Sequence, residues 1–222
     1  MKNKGTLAGK ILLGATAVFF YLPILYIIVF SFNDSRSLTH FGGFSLRWYE
    51  KMFADSTMME AVVYTVIIAL LATIISTVAG TLAAIGMSKS KKVLRNLVEQ
   101  VNNLPIMNPE IVVGISMMLL FVFVGNLVRS SQTLGFGTVL IAHITFNLPY
   151  VVLSVMPKFK QMDKHLIEAA LDLGCTPTQT FFKIEVPAIM PGIISGLMMS
   201  FTLSLDDFVI SHFVSSPDFK TL

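Results

Sequence analysis

Hydrophobic residues occur along this chain in five long runs that are separated by more polar segments. The five runs cover approximately residues 11–32, 60–87, 106–127, 137–157 and 187–210. Each has about the length, ~20 residues, that an α-helix needs to cross a bilayer. A helix satisfies its own backbone hydrogen bonds in lipid, whereas the strands of a membrane barrel would alternate polar and apolar residues. The pattern therefore predicts an all-α membrane protein, a polytopic bundle of transmembrane helices in a single domain (1–222).

The composition agrees with a membrane location. Hydrophobic residues make up 54% of the 222 residues and charged residues only 13%, whereas soluble domains average about 25% charged residues. The first run follows Lys2, Lys4 and Lys10 and starts like a signal peptide, but no A-x-A cleavage site follows it. We therefore expect it to be retained as the first transmembrane helix. The single cysteine, Cys175, excludes a disulfide framework and a cysteine-rich metal site.

The placement of lysine and arginine predicts the orientation of the helices, because cytoplasmic loops carry an excess of both. Eleven of the 16 basic residues lie in the N-terminal tail, in the loop 88–105 and in the loop 158–186. The other five, among them Arg129 and Lys220, lie on the opposite side. The N-terminus and the loop 158–186 are therefore predicted to be cytoplasmic, in a multi-pass protein of the cytoplasmic (inner) membrane.

The last cytoplasmic loop contains a folded polar segment, which we call the elbow (residues 163–186). Its first part, "DKHLIEAALDLG", has apolar residues at the spacing of one helical face. Asp163 is a good N-cap for this helix, and Gly174 suits the left-handed residue that ends it. The first part therefore predicts a short amphipathic helix.

A second short helix is predicted to follow at once. Thr176 is a plausible N-cap, Pro177 fits the first helical position, and Gln179 can complete a capping box. Pro187 is predicted to end this helix, since the residue before a proline disfavours helical geometry. The elbow would then consist of two helices at an angle, lying at the cytoplasmic face.

The elbow resembles the signature E-A-A-x3-G-x9-I-x-L-P of ABC importer permeases. "EAALDLG" is followed after nine residues by Ile184, Val186 and Pro187, with Val186 where the signature usually has leucine. In that family the loop forms coupling helices that bind a groove of the ATP-binding subunit. The resemblance implies an ATPase-coupling role for five residues: Glu168, Ala169, Ala170, Gly174 and Pro187.

Most of the chain resembles, more closely, the spermidine/putrescine (PotC-type) importer permeases. The resemblance is carried by the order and spacing of several blocks: "SFNDS", "WYEKMF", "NPEIVVGISMMLLF", "AHITFNLPYVV" and "SFTLSLDDFVISHFV". It implies a type I ABC importer permease fold and three partners, namely ATP-binding subunits, a second permease (a homologue or another copy) and an extracytoplasmic solute-binding protein. The family usually has six spans and five are visible here, so either the last helix is missing from this chain or five helices suffice.

Acidic residues in the apolar runs indicate the substrate. Glu110, Asp206 and Asp207 lie in these runs, and no lysine or arginine does, so the interior is predicted to attract a cation and repel an anion. Separate carboxylates suit a polyamine, whose amines are spread along a flexible chain. Trp48, in a predicted amphipathic helix of the outer loop, either anchors this loop at the lipid interface or belongs to a docking surface. The predicted substrate-path residues are Trp48, Glu110, Ser204, Asp206 and Asp207.

Other chemistry is not indicated by the sequence. No G-x-x-x-x-G-K-[ST] motif is present, so ATP hydrolysis would be performed by a partner. The histidines are scattered, and His143, inside a span, is expected to make a helix–helix hydrogen bond rather than bind a metal. We therefore expect no enzyme activity, no cofactor and no nucleic-acid partner. The alternatives are a permease for an amino acid or inorganic ion, an ion-coupled secondary transporter, and a non-transporting membrane scaffold.

Overall fold

The computed structural model describes residues 7–128, 134–216, 219 and 221, and these residues are almost entirely helical. The elements are α1 (Leu7–Ser31), α2 (Arg47–Ala54), α3 (Ser56–Lys89), α4 (Lys92–Met107), α5 (Glu110–Val128), α6 (Phe136–Gln161), α7 (Lys164–Asp172), α8 (Pro177–Thr180), a π-helix (Phe181–Glu185), α9 (Val186–Asp206) and α10 (Phe208–Val214). Within the described part, five helices are long and apolar enough to cross a membrane. The predicted all-α membrane class with five spans is therefore confirmed.

Four basic residues that enter the charge pattern, Lys2, Lys4, Arg129 and Lys220, lie outside the described residues. The chain divides into two compact units, residues 1–59 and residues 60–222.

In the first unit, the segment after α1 is organised by the buried side chain of Asn33. Its amide nitrogen donates to the carbonyl oxygens of Ser37 and His40, at 2.9 and 2.8 Å. Its amide oxygen accepts from the backbone N–H groups of Ser35 and Gly42, at 3.3 and 2.7 Å. One asparagine thus satisfies four backbone groups of this irregular segment, in addition to the backbone hydrogen bonds from Asp34 to Gly43 and from Ser45 to Phe32, which gives the block "SFNDS" a structural role.

In the second unit, α6 and α9 pack closely in antiparallel orientation. A Cβ atom on Gly196 would lie 3.2 Å from the Cα of Val151, and one on Gly192 would lie 2.8 Å from the carbonyl oxygen of Ser154. Such close backbone approach is possible only without a side chain, as in other small-x3-small helix pairs. Gly192 and Gly196, one helical turn apart, therefore mark a close helix–helix contact.

The helix α3 packs against the same part of α6. A Cβ atom on Gly80 would lie 2.7 Å from the Cβ of Val151. Two buried apolar clusters surround these contacts. One consists of Ala84, Met87, Val151, Val152, Val155, Met156 and Ile189, and the other of Ile68, Val139, Ala142, Phe146, Ile210 and Val214.

The loop 88–105 contains a helix, α4, that the hydrophobic pattern did not predict. α4 makes polar contacts with α6, because Glu99 pairs with Lys160 at 3.1 Å and Asn102 donates to the carbonyl oxygen of Pro149 at 3.4 Å. Glu99 and Asn102 are three residues apart and therefore lie on the same face of α4. The polar residues that made this segment look like a loop are thus used for packing.

Two predicted boundaries shift in the structure. α5 begins at Glu110 rather than at residue 106, because Asn108 has extended backbone angles and Pro109 follows it. α9 ends at Asp206 rather than at residue 210, because Asp207 (φ −78°, ψ 90°) leaves the helical region and starts α10.

The predicted end of the second elbow helix at Pro187 is wrong. Val186 has helical angles (φ −61°, ψ −49°), and α8 continues through the π-helix into α9, with Pro187 in its first turn. A proline in a helix lacks an N–H and crowds the carbonyl group four residues earlier. The wider π turn, in which the N–H of Val186 donates to the carbonyl oxygen of Phe181, accommodates this defect.

Gly192→Ala is expected to destabilise the protein, although alanine is the better helix former by about 1 kcal/mol. The added Cβ would overlap the backbone of α6, and overpacking costs about 1–3 kcal/mol. Gly86→Ala is the matched control, since a Cβ there meets no neighbouring atom within 4 Å. Thermal unfolding in detergent, followed by circular dichroism, should give a lower midpoint for Gly192→Ala only. Equal midpoints for the two variants would contradict the close packing of α6 and α9.

Candidate functional site

A buried polar cluster connects α6, α9 and α10 around His143. The Nδ1 atom of His143 lies 2.7 Å from the Oγ of Ser204, and its Nε2 atom lies 2.9 Å from the Oγ of Ser211. All three side chains are buried. The predicted helix–helix hydrogen bond of His143 is confirmed, and it joins three helices rather than two.

Asp207 belongs to the same cluster. Its Oδ1 accepts a hydrogen bond of 2.9 Å from the N–H of Ile210 and caps α10. Its Oδ2 lies 3.7 Å from the Nε2 of His143, and only 3% of the side chain is exposed. Among the described atoms, this Oδ2 has no hydrogen-bond partner. Ser204 and Asp207, both predicted to line the substrate path, therefore lie inside the bundle.

Three of the four acidic residues in the apolar runs, Glu110, Asp206 and Asp207, lie in the same region of the structure, and the fourth, Glu60, lies near the start of α3. Glu110 lies within electrostatic range of Asp207 and Tyr150, and Asp206 lies within electrostatic range of Asp207. Glu110 and Asp206 are exposed on the surface of the chain, whereas the Asp207 side chain is buried. We call Glu110, Asp206 and Asp207 the acidic patch. It consists of two accessible carboxylates and one structural carboxylate.

Glu110 lies far from Asp206 and Asp207 in the sequence, and the packing of α5 brings it into the same region. Glu110 starts α5 beside Tyr150, which lies near the middle of α6. The first turns of α5 also pack on α10, since a Cβ on Gly114 would lie 3.1 Å from the ring of Phe213. The sequence signal for this arrangement is the helix break at Asn108 and Pro109. Because of this break, α5 starts at Glu110, near the middle of α6 rather than near its end.

Two further buried polar residues, Asn147 and Ser200, were not predicted as a pair. Both are 0% exposed. They lie between the contact of His143 with Ser204 and the contact of Val151 with Gly196, so the α6–α9 register places them at the same level. The sequence signal for this pair is a spacing of one helical turn, because Asn147 follows His143 by four residues and Ser200 precedes Ser204 by four.

In the elbow, the predicted caps are confirmed. Asp163 accepts from the N–H of His165 at 3.0 Å, and Gly174 has a positive φ of 85°. The N–H of Gln179 donates to the hydroxyl of Thr176 at 3.3 Å, and the Thr176 N–H donates to the Gln179 side chain at 3.1 Å. These bonds satisfy backbone groups that the ends of two short helices would otherwise leave unpaired.

The helix α7 presents an exposed surface with both charged and apolar residues. The side chain of Glu168 is 70% exposed and lies 3.2 Å from His165. Leu166 and Leu173 are 51% and 86% exposed. Ala169 is exposed and Ala170 is buried. Of the predicted coupling residues, Glu168 and Ala169 are thus accessible on α7, while Ala170 packs inward.

The remaining two predicted coupling residues lie where the elbow bends. Gly174 ends the first helix, and Pro187, which is exposed, stands in the first turn of α9. Neither of them lies within α7, and their coupling role stays a prediction.

Trp48 lies in the first unit, on α2, in the amphipathic helix that the sequence predicted. Its indole N–H donates to the carbonyl oxygen of Asn33 at 2.8 Å. Three cations lie over its ring, with Arg36, Arg47 and Lys51 at 5.8, 4.9 and 5.1 Å from the ring centre. The ring is therefore already occupied by protein cations, and its role in the substrate path stays a prediction.

Comparison with known proteins decides the family. Residues 76–221 match the family described as "Binding-protein-dependent transport system inner membrane component". The chain belongs to this family.

The permease is similar over nearly its full length to several curated relatives. It is 38% identical to the putrescine transport system permease protein PotI of Escherichia coli (strain K12), over 96% of this chain and 75% of the relative. It is 36% identical to the spermidine/putrescine transport system permease protein PotC of Haemophilus influenzae, over 92% and 77%. The corresponding PotC of Escherichia coli (strain K12) is 35% identical, over 96% and 80%. The resemblance found in the sequence is therefore confirmed.

Substitutions of Asp207 should separate its capping role from its charge. Asp207→Asn keeps an oxygen that can accept from Ile210, whereas Asp207→Ala removes the cap. Loss of a helix N-cap costs about 0.5–2 kcal/mol, so the alanine variant is expected to unfold at a lower temperature than the asparagine variant. The thermal midpoints of the detergent-solubilised permease measure this. A midpoint for Asp207→Ala equal to that of Asp207→Asn would show that the cap contributes nothing.

Proposed function

We propose that this permease is the membrane subunit of an ATP-binding cassette importer that moves polyamines into the cell. Its partners would be ATP-binding subunits, a second permease and an external solute-binding protein. Membership of the binding-protein-dependent family supports the class of transporter. The relatives are putrescine and spermidine/putrescine permeases, and this similarity supports the class of substrate.

The acidic patch is the observation that carries the proposal. Glu110 and Asp206 are exposed carboxylates that lie close to a third, Asp207. The apolar runs contain no lysine or arginine, so the local field favours a cation and opposes an anion such as phosphate or sulfate. An amine that loses water in the membrane needs a charged or carbonyl oxygen partner. Glu110 and Asp206 can supply such partners to one or two amines of the same flexible substrate.

ATP hydrolysis would be provided by a partner that docks on the elbow. The chain has no phosphate-binding motif of the P-loop kind. α7 offers an exposed glutamate between exposed leucines, a composition suited to a protein contact rather than to water alone. In the orientation that we propose, the N-terminus and the elbow face the cytoplasm, where ATP is available. An ion-coupled secondary transporter would use neither this surface nor a binding protein.

Asp206→Asn and Glu110→Gln are expected to impair polyamine uptake. Each removes one charged contact, worth about 1.5–3 kcal/mol, so the concentration for half-maximal uptake should rise by roughly ten-fold or more. Uptake of radiolabelled putrescine and spermidine by cells lacking their own polyamine importers measures this, at matched membrane levels. Glu60→Gln, which neutralises an exposed carboxylate at the start of α3, is the control. Normal uptake by both acidic-patch variants would refute the substrate path.

Glu168→Lys is expected to abolish binding of the ATP-binding subunit. The change reverses the charge at the centre of the exposed α7 surface without altering the fold of the bundle. Copurification of the tagged permease with the co-expressed ATPase, in detergent, measures the loss. Glu60→Lys is the matched reversal and should copurify normally. Retention of the ATPase by the Glu168→Lys variant would place the docking surface elsewhere.

A further inference from the structure

The last residue of α3, Lys89, contacts the elbow at two points. Its Nζ lies 3.4 Å from the Oε2 of Glu185 and 5.1 Å from the centre of the Phe181 ring. Phe181 and Glu185 are the first and the last residue of the π-helix. One cation therefore spans the whole π-helix and connects it to a different transmembrane helix.

The carboxylate of this contact is mostly buried, unlike that of an ordinary surface ion pair. Only 10% of the Glu185 side chain is exposed, whereas 58% of the Lys89 side chain is exposed. A mostly buried carboxylate needs a partner for its charge, and Lys89 supplies it. Lys89 also ends α3, where a cation interacts favourably with the helix dipole. The mostly buried Glu185 side chain therefore fixes the position of the ion pair, and the more exposed Lys89 side chain adapts to it.

The contact also lies at an irregular turn of the helix that runs from the elbow into α9. Helices bend most often at π turns and at prolines, and here Pro187, which has no N–H to donate, follows the π turn. A push on α7 would bend the chain at this point without moving α9. Just beyond it, Ile189 of α9 packs with Ala84 and Met87 of α3. Lys89 extends this apolar contact between α3 and α9 outward to the elbow.

We infer that Lys89 and Glu185 are positioning residues that transmit movement of the elbow to α3, a role that rests on the proposed function. When the ATP-binding subunits move the elbow, the pair makes the π-helix and the end of α3 move together. Without it, the elbow would still bind the ATPase, but part of its movement would be lost by bending at the π-helix. Neither residue needs to contact the substrate or the ATPase.

The test uses the complete importer, reconstituted in liposomes with its binding protein. The variants are Lys89→Met, Glu185→Gln and the charge-reversed double variant Lys89→Glu/Glu185→Lys, with Lys92→Met as the control for loss of a nearby exposed lysine. The measured quantities are ATPase copurification and the number of polyamine molecules transported per ATP hydrolysed. Each single variant should bind the ATPase normally and transport at least about five-fold fewer molecules per ATP, the lower range of allosteric coupling.

Recovery of the transport ratio in the double variant distinguishes a positioning pair from a general effect on folding. The control Lys92→Met should keep the wild-type ratio. Three results would overturn the inference but leave the proposed function intact. They are a normal transport ratio in both single variants, loss of ATPase binding in these variants, and no recovery of the ratio in the double variant. A wild-type importer that transports no polyamine overturns the proposed function, and with it the inference.

Discussion

The second unit of the permease depends on the close packing of α6 against α9. Lipid is as apolar as the side chains of a membrane helix, so helices associate there through close packing and hydrogen bonds rather than through the hydrophobic effect. Gly192 and Gly196 permit the close packing, and the pair His143 and Ser204 contributes a hydrogen bond in the same register. The other helices attach to this pair, with α3 packed on Val151 and α10 bonded to His143.

The same packing gives the three acids different tasks. The side chain of Asp207 is buried in the bundle, where it caps α10 and lies near His143. Glu110 and Asp206 remain on the surface near it. A buried carboxylate stabilises local structure, whereas an exposed one close to it is available to a cation. The permease thus brings three carboxyl groups into one region and leaves two of them exposed.

In the elbow, local sequence rules predict the helix caps but not the continuation of the helix through Pro187. The caps at Asp163, Thr176 and Gly174 were predicted correctly because each depends on hydrogen bonds within a few residues. The continuation through Pro187 was not predicted, because the preference against helix before a proline is small enough for packing to override. The π-helix that accommodates Pro187 contacts Lys89 through Glu185, and Lys89 belongs to a helix much earlier in the chain.

The sequence by itself determined the helical membrane class, the five spans and the family, since run length and a spaced motif are properties of neighbouring residues. It also identified Glu110, Asp206 and His143 as unusual, because ionisable residues are costly in lipid. Only the tertiary structure decided that the acids meet, that Asp207 is buried and that Lys89 supports the elbow. These facts depend on which helices are neighbours and at what register, and a single sequence shows neither directly.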